Sequence, residues 1–300
     1  GPLLGKGQYK EREPLADKEV VLTFDDGPLR PYTREVLRAL AAHCTKATFF
    51  MVGRMAVADP AMVREVADAG HTIAAHTWSH RNLSAFSPAR SAGEIELGVS
   101  AIQHALGRPI SAFFRFPYLA DPAAVREYLK SRNVATFSID IDSYDFRTSS
   151  GDRMRRTVMQ QLEKRGRGIV LMHDIQRSTA RGIDELLDEL AAGGYKIVHL
   201  VTDGNFKTRP EYDQHAAELH ERRRTVARAA PLHDPTITWA AAKPARPPVH
   251  TALSEPARPG ARPAPREPQV RSRPSQQPSS RVVSRPQSDG DWRRRALGLD

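Results

Sequence analysis

The chain is poor in cysteine, has no long apolar run, and is almost bare of large apolar residues in its last sixty positions. A single cysteine, Cys44, in 300 residues excludes an intramolecular disulfide and any zinc cage built from thiolates. It lies between a helical and a strand pattern in apolar surroundings, which predicts a buried, inert thiol. No run approaches the ~18 apolar residues of a membrane-spanning helix. The start, Gly1-Pro2-Leu3, shows neither an initiator Met nor a signal-peptide pattern, so a processed or trimmed form is expected. From about residue 240 onward Pro, Arg, Ala and Ser dominate, a composition that cannot bury a core and predicts disorder.

Charge is unevenly spread. Of the formal net +10, residues 205–300 carry most, with 18 Lys and Arg against 10 Asp and Glu, and residues 1–204 are close to neutral. The high pI therefore describes the tail, and no specific nucleic-acid binding is expected of the rest. Within the tail, Trp292 followed by Arg293-Arg294-Arg295 has recognition character. Its default reading is a solvated charge run, and the minority one is an anionic envelope polymer, membrane surface or nucleic acid.

What is present is organised around Val20-Val21-Leu22-Thr23-Phe24-Asp25-Asp26-Gly27-Pro28. An apolar, β-branched run reads as a buried strand that stops at two carboxylates and a turn. Neighbouring side chains on an extended backbone point opposite ways, so Asp25 and Asp26 are expected to do different work. One can face a metal and the other the water it activates.

Further strand patterns fall at 46–52, 71–75, 112–116, 134–139, 168–172 and 196–200. Helical patterns fall at 32–42, 60–69, 88–106, 122–131, 153–164 and 183–192. This alternation predicts an α/β fold of right-handed βα units around a parallel sheet, most compactly an incomplete βα-barrel. Residues 1–18 read as an arm on the domain, 19–204 as the main folded domain, and 205–300 as a basic, largely disordered tail with a short helix near 211–228.

The chemistry-bearing residues each follow a strand, where a parallel barrel gathers its active site. After the third strand come His76 and His80, four apart, a spacing that on a helical turn lets both imidazoles reach one ion. With Asp26 they make a two-His, one-carboxylate set that leaves positions open. Arg115 ends the fourth strand and can hold a nearby carboxylate charged. Asp140-Ile141-Asp142 resembles the start of a calcium loop but lacks the required Gly and Glu. His173, with Asp174, ends the sixth strand, where an imidazole can deliver a proton near neutral pH. His43, His71, His104 and His199 read as structural or surface residues.

Thr23-Phe24-Asp25-Asp26-Gly27-Pro28, His76-Thr77-Trp78-Ser79-His80, Arg115-Phe116-Pro117-Tyr118, Asp142-Ser143-Tyr144-Asp145-Phe146 and Leu171-Met172-His173-Asp174 resemble the five ordered motifs of the polysaccharide deacetylases, carbohydrate esterase family four. The likeness covers roughly residues 15–202. It implies a distorted (β/α)7 barrel with a divalent metal, usually Zn2+, with Co2+, Ni2+ or Mn2+ as alternatives. By the match Asp26, His76 and His80 hold the metal, Asp25 is the general base and His173 the general acid. Arg115 orients Asp25 and Asp142 tunes His173. Tyr118 offers its backbone N–H to an oxyanion, and Pro28, Phe146 and Leu171 line the substrate pocket. Family members often carry Pro and Gly where this chain has Phe116 and Leu119, and Trp where it has Phe146.

The resemblance implies a hydrolase that removes N-acetyl groups from N-acetylglucosamine-type residues of a glycan and releases acetate. Peptidoglycan is the first expected substrate, with chitooligosaccharide and poly-N-acetylglucosamine next. A monomer exported to a periplasmic or extracellular space fits that substrate class. Three rivals stand beside it: an iron oxygenase with the same two-His, one-carboxylate set, a catalytically inactive glycan-binding module, and a scaffold whose tail does the work.

Overall fold

The computed structural model describes residues 1–9 and 15–229. Its strands are β1 (Leu3–Leu4), β2 (Glu19–Asp25), β3 (Thr48–Met51), β4 (Thr72–Ala75), β5 (Phe113–Arg115), β6 (Ala135–Phe137), β7 (Ile141–Asp142), β8 (Gly168–His173) and β9 (Lys196–Ile197). They form one sheet in the order β1-β6-β5-β4-β3-β2-β8-β7, with β9 also paired to β2, and every pairing is parallel. The sheet curls without closing, since β1 and β7 end its hydrogen-bonded path. The expected α/β class and incomplete barrel both hold.

Around it pack α1 (Arg30–Ala42), α2 (Gly53–Ala58), α3 (Pro60–Asp68), α4 (Pro88–Leu106), α5 (Ala123–Ser131), α6 (Gly151–Arg165), α7 (Arg177–Ala192) and α8 (Pro210–Ala229). Strand β2 is central and buried on both faces, which is why Val20, Val21, Leu22 and Phe24 run without alternation. Helix α4 starts where the sequence says it should. Ser87 accepts the Arg90 N–H, Pro88 takes the first turn, and Gly107 closes the helix at φ 79°.

Several expectations need correction. The seventh strand is only two residues long, and the arm contains β1, which adds to the sheet edge at β6. Cys44 is exposed, not buried: it sits at φ 50° in the turn after α1, beyond the helix's buried stripe of Val36, Leu37 and Leu40. The folded unit also runs past residue 204. Phe206 is buried, and α8 lays Ala216 over Val57, Leu97 and Ala101, so the compact unit spans residues 1–230. The expected disorder beyond 240 and the Trp292 patch lie outside the described residues. Among the described residues no helix is long and apolar enough to cross a membrane.

Candidate active site

The carboxyl ends of β2, β4, β5 and β8 and the turns after them bring the sequence-marked residues together. Asp25 ends β2 in register with Phe50 of β3 and His173 of β8, so base and acid candidates stand on adjacent strands. Asp26 turns out of the strand at φ 74° and is tied by its N–H to the Phe50 carbonyl. Because Asp26 has left the extended strand, both carboxylates reach the site: Asp25 Oδ2 lies 3.8 Å and Asp26 Oδ1 3.6 Å from His76 Nε2. What separates the two is the Arg115 contact to the other oxygen of Asp25.

The turn after them is held from below. Gly27 lies so close to the buried Asp174 carboxyl that a Cβ there would stand 2.3 Å from its oxygens. Asp174 accepts the Thr33 hydroxyl at 2.6 Å, and Thr33 accepts the Leu29 N–H at 2.8 Å. Burial pushes the Asp174 carboxyl up to about 7. Pro28 is buried in this turn.

Arg115 is fully buried with its guanidinium across the Phe50 ring, 4.3 Å from the centroid. It donates to Asp25 Oδ1 at 2.7 Å, to Thr23 Oγ1 at 2.8 Å and to the Ser138 carbonyl at 3.1 Å. Burial pushes Asp25 up, Arg115 and His173 pull it back, and it settles at about 6. A carboxylate fixed in place with a value near neutrality can accept a proton.

His76 and His80 meet, but not on a helical turn. Residues 77 and 80 take left-handed φ of 69° and 54°, and the Thr77 hydroxyl accepts the His80 N–H at 2.9 Å. Helix α4 clamps this loop through Glu94, whose carbonyl takes the Trp78 N–H and whose carboxylate takes the Ser79 N–H and hydroxyl. The close approach requires Gly98, because a Cβ there would stand 2.4 Å from the Thr77 carbonyl carbon.

His76 Nδ1 lies 2.7 Å from the Arg115 carbonyl, which leaves Nε2 for the site. Burial holds the His76 imidazole down at about 4, the neutral form a metal requires. Asp26 Oδ1 lies 3.1 Å from His80 Nε2 and 3.6 Å from His76 Nε2. Even so, it is a buried oxygen that no donor reaches in hydrogen-bond geometry. The three ligand atoms lie within 4.8 Å of one another, the one such cluster among the described residues. A buried, unsatisfied carboxylate oxygen facing two imidazole nitrogens fits a divalent cation.

His173 contacts Asp145, not Asp142. Asp145 is fully buried and meets His173 Nδ1 at 2.7 Å, while its other oxygen takes the His173 N–H at 2.7 Å and the Thr179 hydroxyl at 2.5 Å. Asp142 instead accepts the Tyr144 N–H, and burial raises its carboxyl. The carboxylate in contact with His173 therefore stands three residues beyond Asp142, the residue that resemblance gave for this place, in the same motif. Burial, the largest single influence on His173, opposes its charge. Asp145, Asp26 and Asp25 together outweigh it and raise the imidazole to about 10.

Leu171 is buried on β8, and the exposed Phe146 ring stands edge-on to His173 at 5.8 Å. Tyr118, at φ 59°, sets its ring edge-on to His80 at 4.8 Å. Of the histidines read as structural, His71 accepts the Ala47 N–H, His199 meets Thr72, His43 pairs with Asp184 and His104 stacks on His220. Sequence reasoning missed Asp145, Thr33, Asp174 as a support, and Glu94. Of these only Asp145 had a signal, as the second carboxylate of its motif.

The polysaccharide deacetylase family model matches residues 12–137. Chitooligosaccharide deacetylase of Bradyrhizobium is 32% identical over 194 residues, 60% of this chain and 88% of that protein. Peptidoglycan-N-acetylglucosamine deacetylase PgdA of Listeria monocytogenes is 31% identical over 182 residues, 61% of this chain. The chain spans only 38% of that relative's length. A solved peptidoglycan deacetylase of Bdellovibrio bacteriovorus superposes with a TM-score of 0.63 at 34% identity, covering 69% of this chain and 58% of the other. With the motifs seated on the sheet ends that the fold provides, the chain belongs to the polysaccharide deacetylase family.

Proposed function

We propose that the chain hydrolyses the N-acetyl amide of N-acetylglucosamine-type residues in a glycan, peptidoglycan foremost, and releases acetate. The observation that carries this is the pairing across β2 and β8 of Asp25, held by Arg115, with His173, held by Asp145. Asp26, His76 and His80 would hold the metal, with Zn2+ favoured by the two imidazoles and one carboxylate.

A bound divalent ion supplies Lewis-acid polarisation of an amide carbonyl and a water that ionises near neutral pH. The rest falls to side chains. Asp25, near neutrality in its affinity for a proton, takes one from the attacking water, and Arg115 keeps its carboxylate aimed. The Tyr118 N–H is the donor for the developing oxyanion. His173 arrives protonated and gives its proton to the leaving nitrogen, which cannot depart as an amide anion. Leu171 and Phe146 would line the place of the acetyl group beside His173. An iron oxygenase has no use for this base and acid on either side of the ligands. An exported location follows from the proposed substrate. The basic tail offers a means of retention near an anionic envelope.

The test is acetate release from peptidoglycan, chitooligosaccharide and poly-N-acetylglucosamine after the metal is stripped and then restored. Release that returns with zinc supports the proposal. Silence on every glycan with zinc bound stoichiometrically turns it toward an inactive glycan-binding module, and silence with no zinc bound removes the site.

A further inference from the structure

The turn that delivers Asp145 to His173 also builds the outer wall of the site. Tyr144, at φ 49°, and Phe146 flank the buried aspartate and are thrown outward, 41% and 50% exposed. With Tyr118 they are the large exposed aromatic rings among the described residues; Tyr118 stands edge-on to His80, Phe146 edge-on to His173, and Tyr144 lies 6.2 Å from Phe146. Such rings present flat faces for the C–H surfaces of sugar rings.

Arg147 completes this rim. Its guanidinium carbon lies 4.8 Å from the Tyr144 ring centroid and 5.4 Å from that of Phe146. The Phe146 ring is in turn 5.8 Å from the His173 ring, so the cation stands one side chain away from the proposed acid. Arg147 is exposed, and among the described residues no carboxylate is within ion-pair distance of it. Of its nearby acids, Asp145 is engaged with His173 and Thr179, and Asp142 accepts the Tyr144 N–H and feels the Arg147 charge only through space. The guanidinium rests on two rings, and among the described residues its N–H groups make no hydrogen bond. A fork of that kind suits a carboxylate held in two hydrogen bonds.

A chain of N-acetylglucosamine alone has no carboxylate to offer. A peptidoglycan strand has one beside each reacting sugar, either on the lactyl group of a peptide-free muramic residue or on the stem peptide. We propose that Arg147, mounted on Tyr144 and Phe146, is a specificity-determining residue that selects glycans bearing a carboxylate next to the reacting acetamido sugar. This rests on the deacetylase reading and deepens it.

The experiment compares kcat and KM for acetate release by the zinc-loaded full chain on three glycans of equal length: peptide-free peptidoglycan strands, peptide-bearing strands and chitooligosaccharide. Arg147→Gln is expected to raise KM about fivefold on an anionic glycan, the size of an exposed charge pair, with kcat little changed. On chitooligosaccharide KM should shift less than about twofold, and the anionic preference of the parent protein should shrink as salt rises. Arg147→Lys should fall between, since it keeps the charge and loses the fork. A KM rise on peptide-free strands assigns the lactyl carboxylate, and a rise on peptide-bearing strands alone assigns the stem peptide. An equal KM change on all three glycans, or none on the anionic two, overturns the inference and leaves the deacetylase reading in place. If the parent protein releases acetate from none, that reading fails. Calorimetric affinity of the parent and Arg147→Gln proteins for the two anionic glycans then decides the inference alone, with equal affinities on both overturning it.

Discussion

As the proposed acid, His173 must arrive charged in a largely buried position, which needs a carboxylate partner that is itself fixed, and Asp145 meets that need. Both of its oxygens are occupied by donors from β8 and α7, so it cannot rotate away from the imidazole. Removing its charge leaves burial as the dominant influence on His173, and burial favours the neutral ring. The protonated acid exists below its pKa, so Asp145→Asn should move the alkaline limb of the kcat profile to lower pH, by at least about one unit. Asp142→Asn should leave that limb in place. A shift with Asp142→Asn and none with Asp145→Asn would restore the assignment that resemblance gave. At the same scale, Asp25→Asn should keep zinc binding and lower turnover at least about 100-fold, because only the proposed base is neutralised. His76→Ala should lose zinc, measured by metal analysis after dialysis, together with activity. Retained activity in Asp25→Asn would undo the division of labour between the two aspartates.

At the scale of elements, the site depends on a few turns that the sheet ends present, and these were unevenly legible. The strand ends were readable, because apolar runs stopping at Asp25, Arg115 and His173 mark them directly. The conformations beyond them were not. His76 and His80 have helical spacing, yet Thr77 and His80 are left-handed because α4 grips the loop through Glu94 and Gly98. Asp142 and Asp145 share one motif, and only the turn at Tyr144 decides which of them reaches His173. The support of the Asp25–Pro28 turn was likewise hidden, since Asp174 and Thr33 are far apart in sequence. Their link carries its own prediction. An unfolded aspartate titrates near 3.9, while Asp174 in the fold titrates at about 7. Stability tied to a raised carboxyl is complete below the unfolded value and drains as pH climbs through the folded one. Asn keeps an acceptor for Thr33 and has no charge to bury. In urea unfolding, the stability difference between wild type and Asp174→Asn should favour wild type at about pH 5 and shrink or reverse by about pH 8. A difference independent of pH would mean that Asp174 stays charged in the fold.

Over the whole molecule, the basic stretch that composition marks as a tail is not one thing. Its first part belongs to the fold. Phe206 is buried, its N–H bonds to the Ile110 carbonyl, and its own carbonyl takes the Gln103 side chain from α4. Helix α8 then covers an apolar patch made by α2 and α4, and α4 is the element that grips the His76–His80 loop. A cut after residue 204 therefore strips a buried aromatic and bares that patch, whereas a cut after residue 229 removes nothing of this packing. Loss of a buried Phe alone costs about 3 kcal/mol or more. For a domain of this size that lowers Tm by roughly 10 °C. The protein ending at 229 should melt within about two degrees of the full chain and keep its zinc-dependent acetate release. The protein ending at 204 should melt about 10 °C lower and lose zinc affinity as the loop loosens. Equal melting of the two truncations would mean that α8 only rests on the surface. Loss of acetate release in the protein ending at 229 would return the chemistry to the tail, and with it the view of the barrel as a passenger.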